Sequence, residues 1–338
     1  MRLRQLLYAL AASMLISMEA QAQNMIISGA GASFPAPLYQ RWAQDAQREL
    51  GFQINYQSIG SGGGVNQITN RTVDFGASDA PVPEARLREN NLVQIPMIAG
   101  AVVMAYNVPG VTNLRLTPDL IVSIYTGDIT RWNDPRIAAH NPGVRFPNLP
   151  IAAVYRGDGS GTTWIFTTYL SRVSDVWRQR TGAATSVSWP AGIGARGNEG
   201  VANQVQRTPG AIGYMEISFA HVNRIPMAQV QNASGAWITP NADSSAAALT
   251  SADWFARPSM EVDVINSTHA QGWPIMGVSY LLVPNNPTNR ANAERVQQWV
   301  SWAMRNGDPA AQRLLYTVLP DTVKQRIQQV LTEQVRLP

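Results

Sequence analysis

MIISGAGASFPAPLYQRWAQDAQREL, residues 25–50, runs through a strand, a turn and a helix in one pass. Met25 to Ile27 is a short β-favouring run. Gly29-Ala30-Gly31-Ala32-Ser33-Phe34-Pro35 follows, with the small residues and proline of a turn. From about Pro35, the apolar residues Leu38, Trp42, Ala46 and Leu50 recur every four positions, the spacing of one helix face, and Gly51 supplies a stop. The same order returns along the chain. Ile54 to Tyr56 reads as a second strand, Gly60-Ser61-Gly62-Gly63-Gly64 as its turn, and a short helix carries Val65 and Ile68. Val73 to Ala77 is a third strand, ended by Ser78-Asp79-Ala80-Pro81, because proline restricts the residue before it. Ile151 to Tyr155 leads through Arg156-Gly157-Asp158-Gly159-Ser160-Gly161-Thr162 into a helix from Ser160. From Asn289 the chain is helical, with Val296, Trp299, Val300 and Ala303 on one face. This alternation predicts an α/β protein.

The chain has 338 residues, enough for two domains of ordinary size, and 45% of them are hydrophobic against 14% charged, which argues for packed cores. Two apolar runs closed by proline, Ala101 to Val108 and Ser279 to Val283, bracket a block with its own strand–turn–helix units. They predict a middle lobe of residues 101–279 and a discontinuous first lobe of 23–100 with 280–338. Residues 1–22 are expected to be a cleaved signal peptide. Arg2 and Arg4 form a positive start, Leu6 to Met18 a short apolar stretch, and Ala20-Gln21-Ala22 a small-residue cleavage site before Gln23. That stretch is shorter than the ~20 apolar residues that span a bilayer. The net charge is +4, of which the leader carries +1 (Arg2 and Arg4 against Glu19), leaving +3. The positive residues are scattered arginines, with Lys324 the only lysine, so the clustering that nucleic acid demands is missing. With no cysteine, disulfides, thiolate metal sites and cysteine nucleophiles are excluded.

The three glycine- and serine-rich turns each lie between a predicted strand and a predicted helix. In open α/β sheets such turns stand at the carboxyl ends of the strands, where ligands bind. Helix starts offer unpaired N–H groups and partial positive charge. Ser33, Ser61, Ser160 and Thr162 sit where helix N-caps sit, and any one of them reads as a cap alone. Three such turns together, one with an arginine, predict an anion site of unspecified anion. Other motifs fail. Gly192-Ile193-Gly194-Ala195-Arg196-Gly197 fits a dinucleotide pattern but follows Trp189-Pro190, so it reads as a loop. His140, His221 and His269 are too scattered for a metal site. No serine stands in a G-x-S-x-G elbow, and none of Ser33, Ser61 and Ser160 has a visible base, which disfavours a secreted hydrolase.

GAGASFPAPLYQRWA (29–43), GSGGGVNQI (60–68), VDFGASDAP (73–81), IYTGDITRW (124–132), RGDGSGTT (156–163) and QRTPGAIGY (206–214) resemble, in order and spacing, the periplasmic phosphate-binding proteins of ABC-type phosphate importers. The resemblance implies the periplasmic binding-protein fold: two α/β lobes, the first discontinuous, with a ligand cleft between them. It implies a non-enzymatic periplasmic solute-binding protein that acts as a monomer without cofactor. Such a protein captures inorganic phosphate and passes it to a permease and ATPase complex at the inner membrane. By the same resemblance, Ser33, Phe34, Ser61 and Asp79 contact phosphate from one lobe, and Arg156, Ser160, Gly161 and Thr162 from the other. Asp158 holds Arg156 in place, and Gly62 departs from the serine common at its position. A carboxylate facing an anion repels it unless the ligand carries a proton. Phosphate does so at neutral pH and sulfate does not, so Asp79 is expected to reject sulfate. Other oxyanions, and a sensing role without transport, are the rival readings within this fold.

Overall fold

The structure is a computed structural model that describes residues 25–338, so the expected signal peptide lies outside the described residues. Eleven strands appear among them: β1 Ile26–Gly31, β2 Gln53–Ser58, β3 Phe75–Ser78, β4 Leu92–Asn107, β5 Arg115–Leu116, β6 Ala152–Arg156, β7 Ile193–Ala195, β8 Ala211–Glu216, β9 Gln229–Gln231, β10 Trp237–Ile238 and β11 Met276–Pro284. Eight form one sheet in the order β2-β1-β3-β11-β4-β8-β6-β7, and β10-β9-β5 form a small second sheet.

The eight-stranded sheet serves two α/β halves. β1 pairs in parallel with β2 and β3, and β6 in parallel with β7 and β8. β4 joins the two sets. Its first part, Leu92 to Ala101, pairs antiparallel with β11, and Val102 to Asn107 pairs antiparallel with β8. All but the last of its sixteen residues is buried, as befits a strand covered on both faces. Pro96 lies inside it, a position proline takes in a sheet only beside an irregularity. The register does shift there: Ser279 faces Ile98 while Tyr280 faces Pro96. Both joining strands begin earlier than their apolar runs predict, at Leu92 and Met276.

The helix α1, Ala36–Leu50, buries Leu38, Trp42 and Ala46 as its spacing predicts. It ends at Gly51, whose φ of 74° suits glycine and whose N–H bonds Gln47 O. Trp42 donates to Gly307 O, and Trp299 of the Arg290–Asn306 helix packs against Phe75 with the rings tilted and 4.9 Å between centroids, tying the C-terminal helices to the first half. β1 runs further than its β-favouring residues suggest, because Gly29 and Gly31 are strand rather than turn. A Cβ on Gly29 would stand 2.1 Å from the Phe75 ring, and one on Gly31 2.1 Å from Ala77 O. The second half packs around Tyr125, Phe166, Trp189 and Tyr214. No helix among the described residues is long and apolar enough to cross a membrane.

Candidate functional site

Five strand ends deliver the site. β1 leads to Ser33 before α1, and β2 to Ser61, the first residue of α2, Ser61–Thr69. β6 ends in Arg156, ahead of α3, Gly161–Val173, and β7 leads to α4, Gly197–Arg207. Asp79 directly follows β3. Ser33, Phe34, Ser61, Asp79, Arg156, Ser160 and Thr162 are each at most 2% exposed, and hydrogen bonds between the halves draw Ser33 and Thr162, and Ser61, Asp79 and Gly161, into one buried cluster.

Of the four expected caps, only Ser160 acts as one, its Oγ accepting the Thr163 N–H at 3.0 Å. Pro35 and Gly60 occupy the cap positions of α1 and α2, with no side-chain cap at either. Thr162 lies inside α3. The hydroxyls of Ser33 and Ser61 reach the opposite half instead. Ser33 Oγ accepts from the backbone N–H of Asn198 at 3.0 Å and from its Nδ2 at 2.9 Å. Ser61 Oγ accepts from Gly161 N–H at 3.0 Å and from Asp79 N–H at 3.1 Å. The Gly62 N–H donates to Gly159 O at 3.0 Å, so this position contributes a backbone bond across the halves, while a Cβ there would meet Gly159 only at 3.5 Å.

Arg156 is gripped in a fork: Nε donates to Asp158 Oδ1 at 2.7 Å and Nη2 to Oδ2 at 2.6 Å. The remaining nitrogen, Nη1, lies 3.5 Å from Thr162 Oγ1. Burial by itself would raise the Asp158 carboxyl, but the Arg156 guanidinium and the Gly197 N–H outweigh it and hold it below its usual value. Asp158 is thus the anchor of the arginine, and the planar fork fixes where the guanidinium points. Asp79 is differently placed. Burial raises its carboxyl to about 7, against the pull of the Ser279 hydroxyl, Arg156 and Ser61. Its Oδ2 stands 3.5 Å from Ser61 Oγ, and its Oδ1, like the Ser279 Oγ that acts on it, makes no hydrogen bond of good geometry. The cluster therefore offers donors from both halves and one acceptor oxygen.

Residues 17–306 match the family model described as the PBP superfamily domain. Phosphate-binding protein PstS of Xylella fastidiosa strain Temecula1 is 42% identical over 310 residues, covering 91% of this chain and 85% of that protein. That of Haemophilus influenzae is 41% identical over 304 residues, covering 89% and 91%. The chain belongs to the phosphate-binding PstS family. The fold agrees: a solved high-affinity periplasmic phosphate-binding protein bound with phosphate superposes with a TM-score of 0.74 over 90% of this chain and 93% of its own, at 23% identity.

For this PstS-family chain, the sequence reading of Gly192 to Gly197 as a loop needs correction. Ile193–Ala195 is the edge strand β7, parallel to β6, and Gly197 opens α4 with φ 71°. A three-residue edge strand, with Ile193 and Gly194 exposed, carries no apolar run to reveal it. The helix start does not wait for a dinucleotide: its first N–H donates to Asp158 Oδ1 at 3.2 Å. Asn198 was missed with it, although a fourth glycine-rich turn running into a helix was the signal that marks it. Two further buried groups escaped notice. Tyr214 OH accepts the Arg156 N–H at 3.0 Å and pairs with Thr163 Oγ1 at 2.6 Å. Glu216 Oε2 accepts from Ser218, whose hydroxyl meets Tyr316 OH, and Tyr316 donates to Phe34 O at 2.6 Å. Burial holds Glu216 well above its ordinary pKa.

Proposed function

We propose that this chain is the periplasmic substrate-binding component of an ABC phosphate importer. It closes its two lobes on one inorganic phosphate and delivers it, as a monomer, to the permease and ATPase complex at the inner membrane. The carrying observation is one buried cluster that combines a clamped guanidinium and serine and threonine hydroxyls from both halves with a single open carboxylate oxygen, Asp79 Oδ1. Ser33, Phe34, Ser61 and Asp79 contact the ligand from the first lobe, and Arg156, Ser160, Gly161 and Thr162 from the second. One guanidinium does not neutralise a phosphate dianion, and the helix starts at Ser61 and Gly161 add oriented N–H dipoles without mobile counterions. Asp79 accepts a hydrogen bond from the remaining P–O–H, a donor that sulfate lacks at neutral pH. The lobes are taken as 23–100 with 280–338, and 101–279. This division is supported by β4, which changes partner from β11 to β8 after Ala101.

Catalysis is no part of this reading. A serine nucleophile needs a base within hydrogen-bond reach. Ser61 Oγ stands 3.5 Å from Asp79 Oδ2, too far for a good O–H···O bond, and both N–H groups that touch it are donors. Calorimetric titration of the purified protein with phosphate, sulfate and arsenate tests the proposal. Phosphate binding with sulfate rejected is the expected result, and a preference for sulfate overturns it.

A further inference from the structure

Hydroxyl groups are ambiguous ligands, because each carries one proton and two acceptor lone pairs. An anion site gains only from those that donate. In this cluster the ambiguity is removed by N–H groups that occupy the lone pairs. Ser61 Oγ takes two, from Gly161 and Asp79. Ser33 Oγ takes two, both from Asn198, and Thr162 Oγ1 accepts from Asn198 Nδ2 at 3.1 Å with Arg156 Nη1 at 3.5 Å on its other side. A hydroxyl so occupied has only its O–H left to offer.

Asn198 is fully buried, and the orientation of its amide is fixed by its surroundings. Its Oδ1 accepts the Glu216 N–H at 3.1 Å, while the two protons of Nδ2 go one each to Ser33 and Thr162. A flipped amide would set NH2 against the Glu216 N–H, donor against donor, and is excluded. Asn198 also belongs to α4 of the second half, whereas Ser33 precedes α1 of the first. The two meet only when the halves are together, across 165 residues of sequence.

We propose that Asn198 is a positioning residue that, on closure, fills the lone pairs of Ser33 and Thr162 and so commits both hydroxyls to donate to the bound oxyanion. This rests on the phosphate-binding reading above and deepens it. Asn198 itself touches no ligand. It makes the site donor-only at two positions, and it makes the donor at Ser33 conditional on closure. An asparagine does this where an acid cannot, because a carboxylate has no proton to give and would draw the same two hydroxyls towards itself.

A double-mutant cycle read by phosphate titration tests it. Asn198→Ala is expected to weaken phosphate binding about tenfold in the parent, the scale of one or two hydrogen bonds to a charged group. In the Ser33→Ala, Thr162→Val background, where no hydroxyl is left to orient, the same substitution is expected to change affinity less than about twofold. Asn198→Asp keeps the size and should weaken binding more than Ala, in the opposite order to a space-filling role, and it carries the same cycle should the alanine variant not fold. Equal losses in both backgrounds overturn the inference, since a merely structural residue acts alike in each. Failure of the parent itself to bind phosphate is a different result, which overturns the functional reading.

Discussion

Replacing Asp79 by Asn removes the one titrating group inside the cluster that is raised into the neutral range, and its effect on stability without phosphate follows from linkage. The Asp79 carboxyl moves from an ordinary 3.8 to about 7 because it is fully buried. Between those values the folded chain holds a proton that the unfolded chain has released, so the parent loses stability as pH rises from about 4 to about 7 and levels off above. About three pH units at ~1.4 kcal/mol each make this loss of order 4 kcal/mol. Asparagine has similar size, cannot titrate and carries no charge to desolvate, so its stability curve lacks that fall. Glu216 is also raised by burial, but it is present in both proteins and its contribution largely cancels in the difference. Urea unfolding in phosphate-free buffers between pH 4.5 and 8.5 measures it. The variant should gain on the parent steadily with pH, approaching that order of difference by pH 8. Curves that stay parallel across the range would refute the argument, for they would mean that Asp79 ionises in the folded chain as it does in water.

In the presence of ligand above pH 8, where Asp79 is ionised, Asp79→Asn should shift phosphate affinity by only ~1 kcal/mol while improving sulfate by more, because the amide oxygen still accepts and the like charge is gone. Competitive titration at fixed ionic strength reads this, and an unchanged phosphate-to-sulfate ratio would place selectivity elsewhere. Arg156→Ala should cost roughly 2–4 kcal/mol of phosphate binding, the scale for truncating a buried charged partner, and Asp158→Asn less, since it loosens the fork without removing the donor. Alanine at 156 binding as tightly as the parent would mean that the anion lies elsewhere. Gly161→Ala should prevent full closure, because a Cβ there would stand 2.6 Å from both Asp79 Cβ and Ser61 Oγ. Small-angle scattering in saturating phosphate should then show a more open particle, and a profile equal to the parent's would count against this packing.

What the sequence disclosed and what it withheld divide along the range of the forces involved. The helix at 36–50, its glycine stop and the glycine-rich turns were legible because each is decided within a few residues, by periodicity and by backbone freedom. The membership of the cluster was legible through family likeness, which carried Ser33, Phe34, Ser61, Asp79, Arg156 and Ser160 to Thr162 to one place. The use of the hydroxyls was not. Ser33 and Ser61 look like caps because serine before a helix usually is one. Each instead bonds a group from the other half, across 165 and 100 residues respectively, and nothing near them in sequence reveals that partner. Asn198 was hidden for the same reason, behind an edge strand too short to carry an apolar run. The strand β4 was legible only in part, since Pro96 argues against a central strand until the matching irregularity at Ser279 and Tyr280 is seen opposite it. That irregularity belongs to the strand that carries Ser279, whose hydroxyl is among the groups pulling on Asp79. Ser279, at that irregularity, thus acts on the carboxyl on which selectivity is expected to turn, a connection that exists only in three dimensions.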